Sequence, residues 1–415
     1  MNMRVLFVSQ WFPPEPYLLP LDIARSLSEA GCEVTVLTGI PNYPSGNVIP
    51  GYHSWRGLTE EVEGLRVIRA PLFPSHDMSG SKRALNYLSF GATAAYRAVS
   101  TKLTFDVSLV FSSPITAALP ALATQFFHRI PYVLMVQDLW PHVVYESGLA
   151  SAARHKWTRA ILDKSCLEIY QRASRCFAIT PGMKSDLISM GVPSRNVDLF
   201  WNWGPSEGQE ITDPPVSLRS RIRAHGDDLV LVYAGNMGAT HALDSWVKAV
   251  IDREQDTTHP RKVHLVFLGD GVVRSELEGL ARERGSHSVH FLGRMTDDLF
   301  LAYRSQADAH IVSLVPSPVF DTSLPSKIPD TLAHGGLLIG AVRGDAATVI
   351  MESGGIVAGG TSPDDIGRAI SQLAALSQDE IHQRRLQGTS LYERQMARTV
   401  GTQALLASLQ DAANR

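Results

Sequence analysis

The sequence predicts an α/β protein built from two doubly wound parallel-sheet domains. Three observations carry that prediction. The chain has 415 residues, more than one hydrophobic core holds, so two domains of roughly 200 residues each follow. Short apolar runs alternate with amphipathic stretches in both halves, the pattern of βα units rather than hairpins. The order strand, loop, helix that opens the chain also returns after a break near Gly204.

The first strand is read at Met3–Ser9, followed by the proline-rich loop QWFPPEPY. Pro20 opens a helix with Leu21, Ala24, Leu27 and Ala30 on one stripe, and Gly31 closes it before the strand EVTVLTG. Loops at strand carboxyl ends are where open α/β sheets bind ligands. Further strands are read at GLRVIRA, VSLVFSS, PYVLMVQ and CFAIT, and a helix at MKSDLISMG. The segment over 81–103 carries no acidic residue, while Lys82, Arg83, Arg97 and Lys102 stand among Leu85, Leu88, Phe90 and Tyr96. A basic helix with aromatic residues suits peripheral contact with an anionic membrane face, and a packing helix with a solvated basic side is the plain alternative. VLMVQDLWPH sets Asp138, Trp140 and His142 just past a strand end. Carboxylates accept from sugar hydroxyls and aromatic faces cover sugar C–H faces; a capping Asp138 with a half-buried Trp140 is the rival.

GPSEGQEITDPPVSLRSR reads as a linker. The domains are thus 1–205, a linker over 206–221, 222–385, and a C-terminal helical stretch over 386–415. LVLVYAG starts the second sheet, and the loop GNMGATHALD holds Gly235, Asn236, Gly238 and His241. Glycine loops between strand and helix cradle phosphates through backbone N–H groups, though they also make plain turns. SLPSKIPDTLAHGG places Lys327 and Asp330 three residues apart, on one face of a first helical turn, with Ser326 before them and Pro329 tolerated there. A cation at a helix start suits a diphosphate, and a carboxylate beside it suits a diol. An ordinary surface ion pair is the alternative.

A net charge of −3 gives no pull towards nucleic acid. Cys32, Cys166 and Cys176 lack metal-ligand spacing and fit thiols in a reducing cytoplasm. No signal peptide and no spanning stretch is read.

The order and wording of GDG, FLG, QDLWP, ITPGMKSDLISMGVP, NWGP, YAGNMG and SLPSKIPDTLAHGG resemble the GT-B glycosyltransferases of retaining family 4, in its WbuB/WcaI-like subgroup. The resemblance implies two Rossmann-like domains facing a central cleft, with the acceptor on the first domain and the nucleotide sugar on the second. It implies a UDP-linked donor, a lipid-linked saccharide acceptor, no catalytic metal, no cofactor, and work at the inner face of the cytoplasmic membrane. Asp330 matches the family carboxylate that grips the donor ribose. The family's other carboxylate would fall near Thr322, where no acid stands. Asn236 and His241 occupy the places of the family's Arg and Lys, which leaves Lys327 as the cation for the phosphates. The resemblance puts Asp138 against the reacting sugar and the base against backbone groups of Gly293-Arg294-Met295. Glu15, Trp140 and His142 are the candidate acceptor contacts, a surface loop acid being the plain alternative for Glu15, and the last helix crosses back to the first domain. A sugar-nucleotide epimerase and a non-catalytic sugar-nucleotide-binding scaffold are the rival functions.

Overall fold

The computed structural model describes residues 3–75, 80–146, 156–204, 207–256 and 261–414. The chain folds into two compact units: residues 1–201 with 398–415, and residues 202–397.

The first unit is built on eight strands: β1 (Arg4–Ser9), β2 (Glu33–Gly39), β3 (Leu58–Val62), β4 (Leu65–Ala70), β5 (Val107–Ser112), β6 (Tyr132–Val136), β7 (Arg175–Ala178) and β8 (Val197–Leu199). They lie in the order β3-β4-β2-β1-β5-β6-β7-β8. All pairs are parallel except β3 with β4, a hairpin turned by Glu63 and Gly64, both at positive φ. Strands β1, β5 and β6 are buried along nearly their whole length, as strands covered on both faces must be. The order reverses between β1 and β5, so the loops after those strands diverge and leave a crevice there. Helix Arg398–Ala413 belongs to this unit, and Arg398 pairs with Asp22 (3.1 Å) and Glu29 (2.8 Å) of helix Leu19–Glu29.

The second unit holds six parallel strands: β9 (Leu229–Ala234), β10 (Val263–Leu268), β11 (Val289–Gly293), β12 (Ala309–Ser313), β13 (Leu338–Ala341) and β14 (Ile356–Val357). Their order is β11-β10-β9-β12-β13-β14, reversing between β9 and β12. The stretch read as a linker ends in a helix, Leu218–Ile222. Its Leu218 and Ile222 are buried with Val230, Val232 and Tyr303, so that end is core rather than tether. Pro205 and Ser206, at the expected boundary, lie outside the described residues. The helical tail is two helices, Gln378–Gln395 in this unit and Arg398–Ala413 in the first.

Candidate functional site

In the second unit the site grows from the β9/β12 reversal. β9 runs into Gly235, the residue after its end, whose φ of +120° a side chain would strain. Its N–H donates to Leu268 O (2.8 Å), and Met237 N–H donates to Asp270 O (2.8 Å). The GDG turn lies flush on this loop. A Cβ on Gly269 would come 2.3 Å from Gly235 O, and one on Gly271 would come 2.4 Å from Met237 O. The GDG glycines thus serve loop-on-loop packing. Gly238 N–H is also taken, by His241 Nδ1 at 3.1 Å. The expected cradle of backbone donors is therefore largely spent, although Asn236 N–H has no hydrogen bond among the described residues.

Lys327 opens helix Lys327–Ala333 and reaches across this loop. Its Nζ lies 4.8 Å from the centre of the Tyr233 ring. A Cβ on Gly235 would stand 3.2 Å from that ammonium, which is why glycine suits the position. Burial, then the charge of Arg304, lowers the Lys327 pKa to about 8, with Asp330 opposing. Ser326 caps no N–H with its side chain. Asp330 does sit one turn on, but its Oδ2 accepts from the buried Arg304 guanidinium. The plain alternative of a Lys327–Asp330 surface pair is thus replaced by a buried pair with Arg304, and the carboxylate's charge is balanced before any diol arrives.

His241 does not replace a cation. Its Nδ1 accepts from Gly238 N–H and touches Tyr233 Oη at 3.0 Å, so Nε2 carries the proton. Burial, then the nearby Lys327 charge, lowers its pKa to about 4. The ring is a neutral donor through Nε2–H. Its proton resonances in a histidine NMR titration are expected to stay unchanged from pH 8 down to about pH 5.

Gly293 O accepts from Gly269 N–H (2.9 Å), and Arg294, 79% exposed, stands 3.8 Å from Asp270. Met295 packs on the Leu218 cluster, so of the three Arg294 is the one turned to solvent. Near Thr322, Asp321 faces Arg343 at 3.5 Å. The NWGP phrase has a structural reason. A Cβ on Gly204 would lie 2.8 Å from the Asp330 Cα, and Gly204 N–H donates to Tyr392 Oη (3.0 Å), so the helix start is seated on it.

In the first unit, Asp138 follows β6, and its Oδ2 accepts from Ser113 Oγ (2.8 Å), the residue after β5. Burial raises its pKa, against the lowering effect of that hydrogen bond. Tyr17 lies beside it, and Trp11 packs on Tyr17 and Tyr43 with ring centres 5.8 Å and 5.5 Å away. Trp140 is not an open platform. It is 9% exposed, and its backbone is bolted to Tyr170 Oη through N–H (3.1 Å) and C=O (3.0 Å). His142 is exposed at the start of a five-residue helix.

Glu15 requires the clearest correction. It is 2% exposed, and its carboxylate faces inward, accepting from Asn42 N–H (2.8 Å), Tyr43 N–H (2.8 Å) and Phe12 N–H (3.0 Å). It ties the loop after β1 to the loop after β2 and does not meet an acceptor. Burial nevertheless pushes its pKa up, because the three N–H groups only partly repay desolvation. Glu15→Ala is expected to cost at least about 3 kcal/mol by leaving three buried donors unpaired, measured as a lower urea midpoint. An unchanged midpoint would contradict this role.

Two positioning residues had no sequence signal. Arg69, fully buried, pairs with Glu60 (2.7 Å) and donates to the carbonyls of Phe12, Pro13 and Gly39. Asn86 accepts from Gln10 Nε2 (2.6 Å) and donates to Phe73 O (2.7 Å), anchoring helix Gly80–Ser100 to the loop after β1. Among the described residues, no group of three His, Cys, Asp or Glu could hold a metal.

Both units match family models. Residues 19–203 match the glycosyl transferase 4-like domain, and residues 228–375 match the glycosyl transferases group 1. WcaI of Escherichia coli (strain K12), named for glycosyl transfer in colanic acid biosynthesis, is 27% identical over 326 residues, 76% of each chain. Among solved structures, Anabaena Alr3699/HepE in complex with UDP and glucose superposes with a TM-score of 0.66 at 14% identity, over 99% of this chain and 100% of that one. WaaG, a glycosyltransferase of lipopolysaccharide biosynthesis, gives 0.65 at 14% identity, over 97% and 98%. Those two likenesses speak for the fold, and the matched models speak for the lineage: the chain belongs to the group 1, family 4 glycosyltransferases of GT-B fold.

Proposed function

We propose that the protein is a retaining transferase that moves a hexosyl or N-acetylhexosaminyl group from a UDP-linked sugar to a lipid-linked saccharide in cell-surface polysaccharide synthesis. The observation that carries this reading is the Lys327 ammonium held over Gly235 at the β9/β12 reversal, beside the neutral His241 donor. A diphosphate gains negative charge as the glycosidic bond breaks. A fixed cation and fixed N–H donors stabilise that charge without reorganising. Arg294, exposed near the Gly269 turn, and Asp330, paired with Arg304, are then the contacts for base and ribose. Asp138, buried and bonded to Ser113 after β5, is then the carboxyl for the acceptor side, with Tyr17 as its neighbour. HepE with UDP and glucose, and the name of WcaI, support the choice of donor and pathway class. Retention is tested by the anomeric configuration of the product by proton NMR: an unchanged anomer supports it and an inverted one sinks it.

The lipid-linked acceptor places the protein at a membrane, although no helix of the described residues is long and apolar enough to cross one. Helix Gly80–Ser100 buries Tyr87, Phe90 and Ala94 and leaves Leu88 (56%) and Tyr96 (73%) exposed, with Lys82 exposed in its first turn. Phe126 and Phe127 of helix Leu119–His128 are exposed too. A charged and aromatic surface of this kind suits peripheral binding at the cytoplasmic leaflet. Lys82→Glu with Leu88→Asp is expected to weaken sedimentation with phosphatidylglycerol vesicles by roughly tenfold or more. Unchanged sedimentation would remove this helix from the membrane contact.

A further inference from the structure

We propose that the second unit carries a separate site for a phosphate-bearing anion, at the amino ends of β9, β10 and β11. A cavity of about 810 Å³ opens there, within the roughly 300–1,000 Å³ of small-molecule sites. Five cations line it (Arg221, Arg223, Arg253, Arg261 and Lys262), against three carboxylates. Two of those carboxylates are already engaged. Asp228 accepts from His225 N–H (2.6 Å) and from His264 Nε2 (3.2 Å); Glu254 accepts from Ser286 Oγ (2.6 Å) and His287 N–H (3.0 Å). The cations are engaged less. Arg253 donates to Ser371 Oγ (3.0 Å) but keeps its Nε buried without a hydrogen bond, Arg261 donates to Asp227 O (2.6 Å), and the charged heads of Arg221, Arg223 and Lys262 have no partner among the described residues.

The helix dipole explains part of this set, because Arg253 closes the last turn of helix Leu243–Gln255. It bears also on Arg221 and Arg223, in the last turn and at the C-cap of helix Leu218–Ile222, but not on Lys262, which precedes β10. Surplus positive charge lining a polar recess suits a phosphate or diphosphate group. The cavity touches β10 at Val263 and His264, while the Lys327 loop meets the other end of the strand at Gly269. Six residues of strand span about 17–20 Å, so one ligand cannot be shared between these places through direct contact with both strand ends unless it is that long. The cavity therefore binds its anion whether or not the Lys327 loop serves a transferase.

Calorimetric titration of the full chain with inorganic pyrophosphate tests it, using Lys327→Ala to silence the donor loop. Lys327→Ala is expected to keep one pyrophosphate site, and adding Arg223→Ser and Lys262→Ser to weaken that site at least tenfold. Arg221→Ser alone should give a smaller loss in the same direction. UDP binding to the Arg223→Ser/Lys262→Ser protein with Lys327 intact should stay within twofold of wild type, which also reports its folding. No pyrophosphate binding to Lys327→Ala, or binding indifferent to the added changes, overturns the proposal. Phosphatidylglycerol vesicles distinguish the source of the phosphate. In the Lys82→Glu/Leu88→Asp background, residual vesicle binding that pyrophosphate displaces and Arg223→Ser/Lys262→Ser abolishes assigns a lipid headgroup; its absence, with pyrophosphate still bound, assigns a free phosphate compound.

Discussion

Lys327→Ala is expected to lower kcat/KM for the nucleotide-sugar donor by roughly 100- to 1,000-fold, the loss typical of one preorganised charge-stabilising donor, about 2.7–4 kcal/mol. The reason is local. Three backbone N–H groups of the loop after β9 are bonded within the protein, and His241 is neutral, so Lys327 is the cation closest to where phosphates would sit on that loop. The same ammonium is costly to bury. Its pKa falls from 10.5 to about 8 on folding, so between those values the unfolded chain binds more protons than the native one, and stability rises with pH through that window. Below about pH 8 the charged lysine is a standing cost. Lys327→Met should therefore be at least as stable as wild type at neutral pH while being equally impaired in catalysis. Donor affinity of the wild type should fall as pH rises through about 8, because the charged form is lost. Lys327→Arg, if it retains binding, should flatten that pH dependence.

Asp138→Asn is expected to reduce turnover by roughly 100-fold or more, the lower end for a positioned acid–base group, with UDP affinity within twofold of wild type. The division follows from placement: Asp138 is in the first unit, whereas Lys327 and the glycine loops are in the second. Burial raises the Asp138 pKa, so in the window above its ordinary value the native state holds the proton more readily and stability falls as pH rises. At neutral pH an ionised Asp138 is then a cost that asparagine, still able to meet Ser113, relieves. Asp138→Asn should thus be no less stable than wild type by urea unfolding at pH 7. Lost stability together with lost UDP binding would make Asp138 a structural residue.

The central strands were legible where they are nearly continuous apolar runs, as PYVLMVQ contains β6 and LVLVYAG contains β9, and EVTVLTG, which is β2, by its β-branched residues between turn signals. The antiparallel strand β3 was not, since LTEEV is half charged and lies at a sheet edge, where one face meets water. The Lys327 side of the site was legible because its parts are close in sequence or set by glycine turns. What sequence reasoning missed was partnership over distance. Arg304 claims Asp330 from 26 residues away, Arg69 reaches Phe12 and Pro13 from more than 50, and Asn86 joins Gln10 from 76. Glu15 looked like a loop acid because local composition cannot show that Asn42 and Tyr43 fold back onto it. That His241, in the place of a family cation, is held neutral could not be read locally, because its burial and the lysine beside it are tertiary facts.

The most direct measurement is transfer from a panel of radiolabelled nucleotide sugars to a lipid extract, with wild type beside Lys327→Ala. One UDP-sugar should label the lipid fraction with wild type, and that labelling should drop at least 100-fold with Lys327→Ala, in line with loss of one charge-stabilising contact. Interconversion of free sugar nucleotides without acceptor would contradict transfer, as would donor binding with no labelled lipid. Undiminished labelling by Lys327→Ala would contradict the placement of the diphosphate.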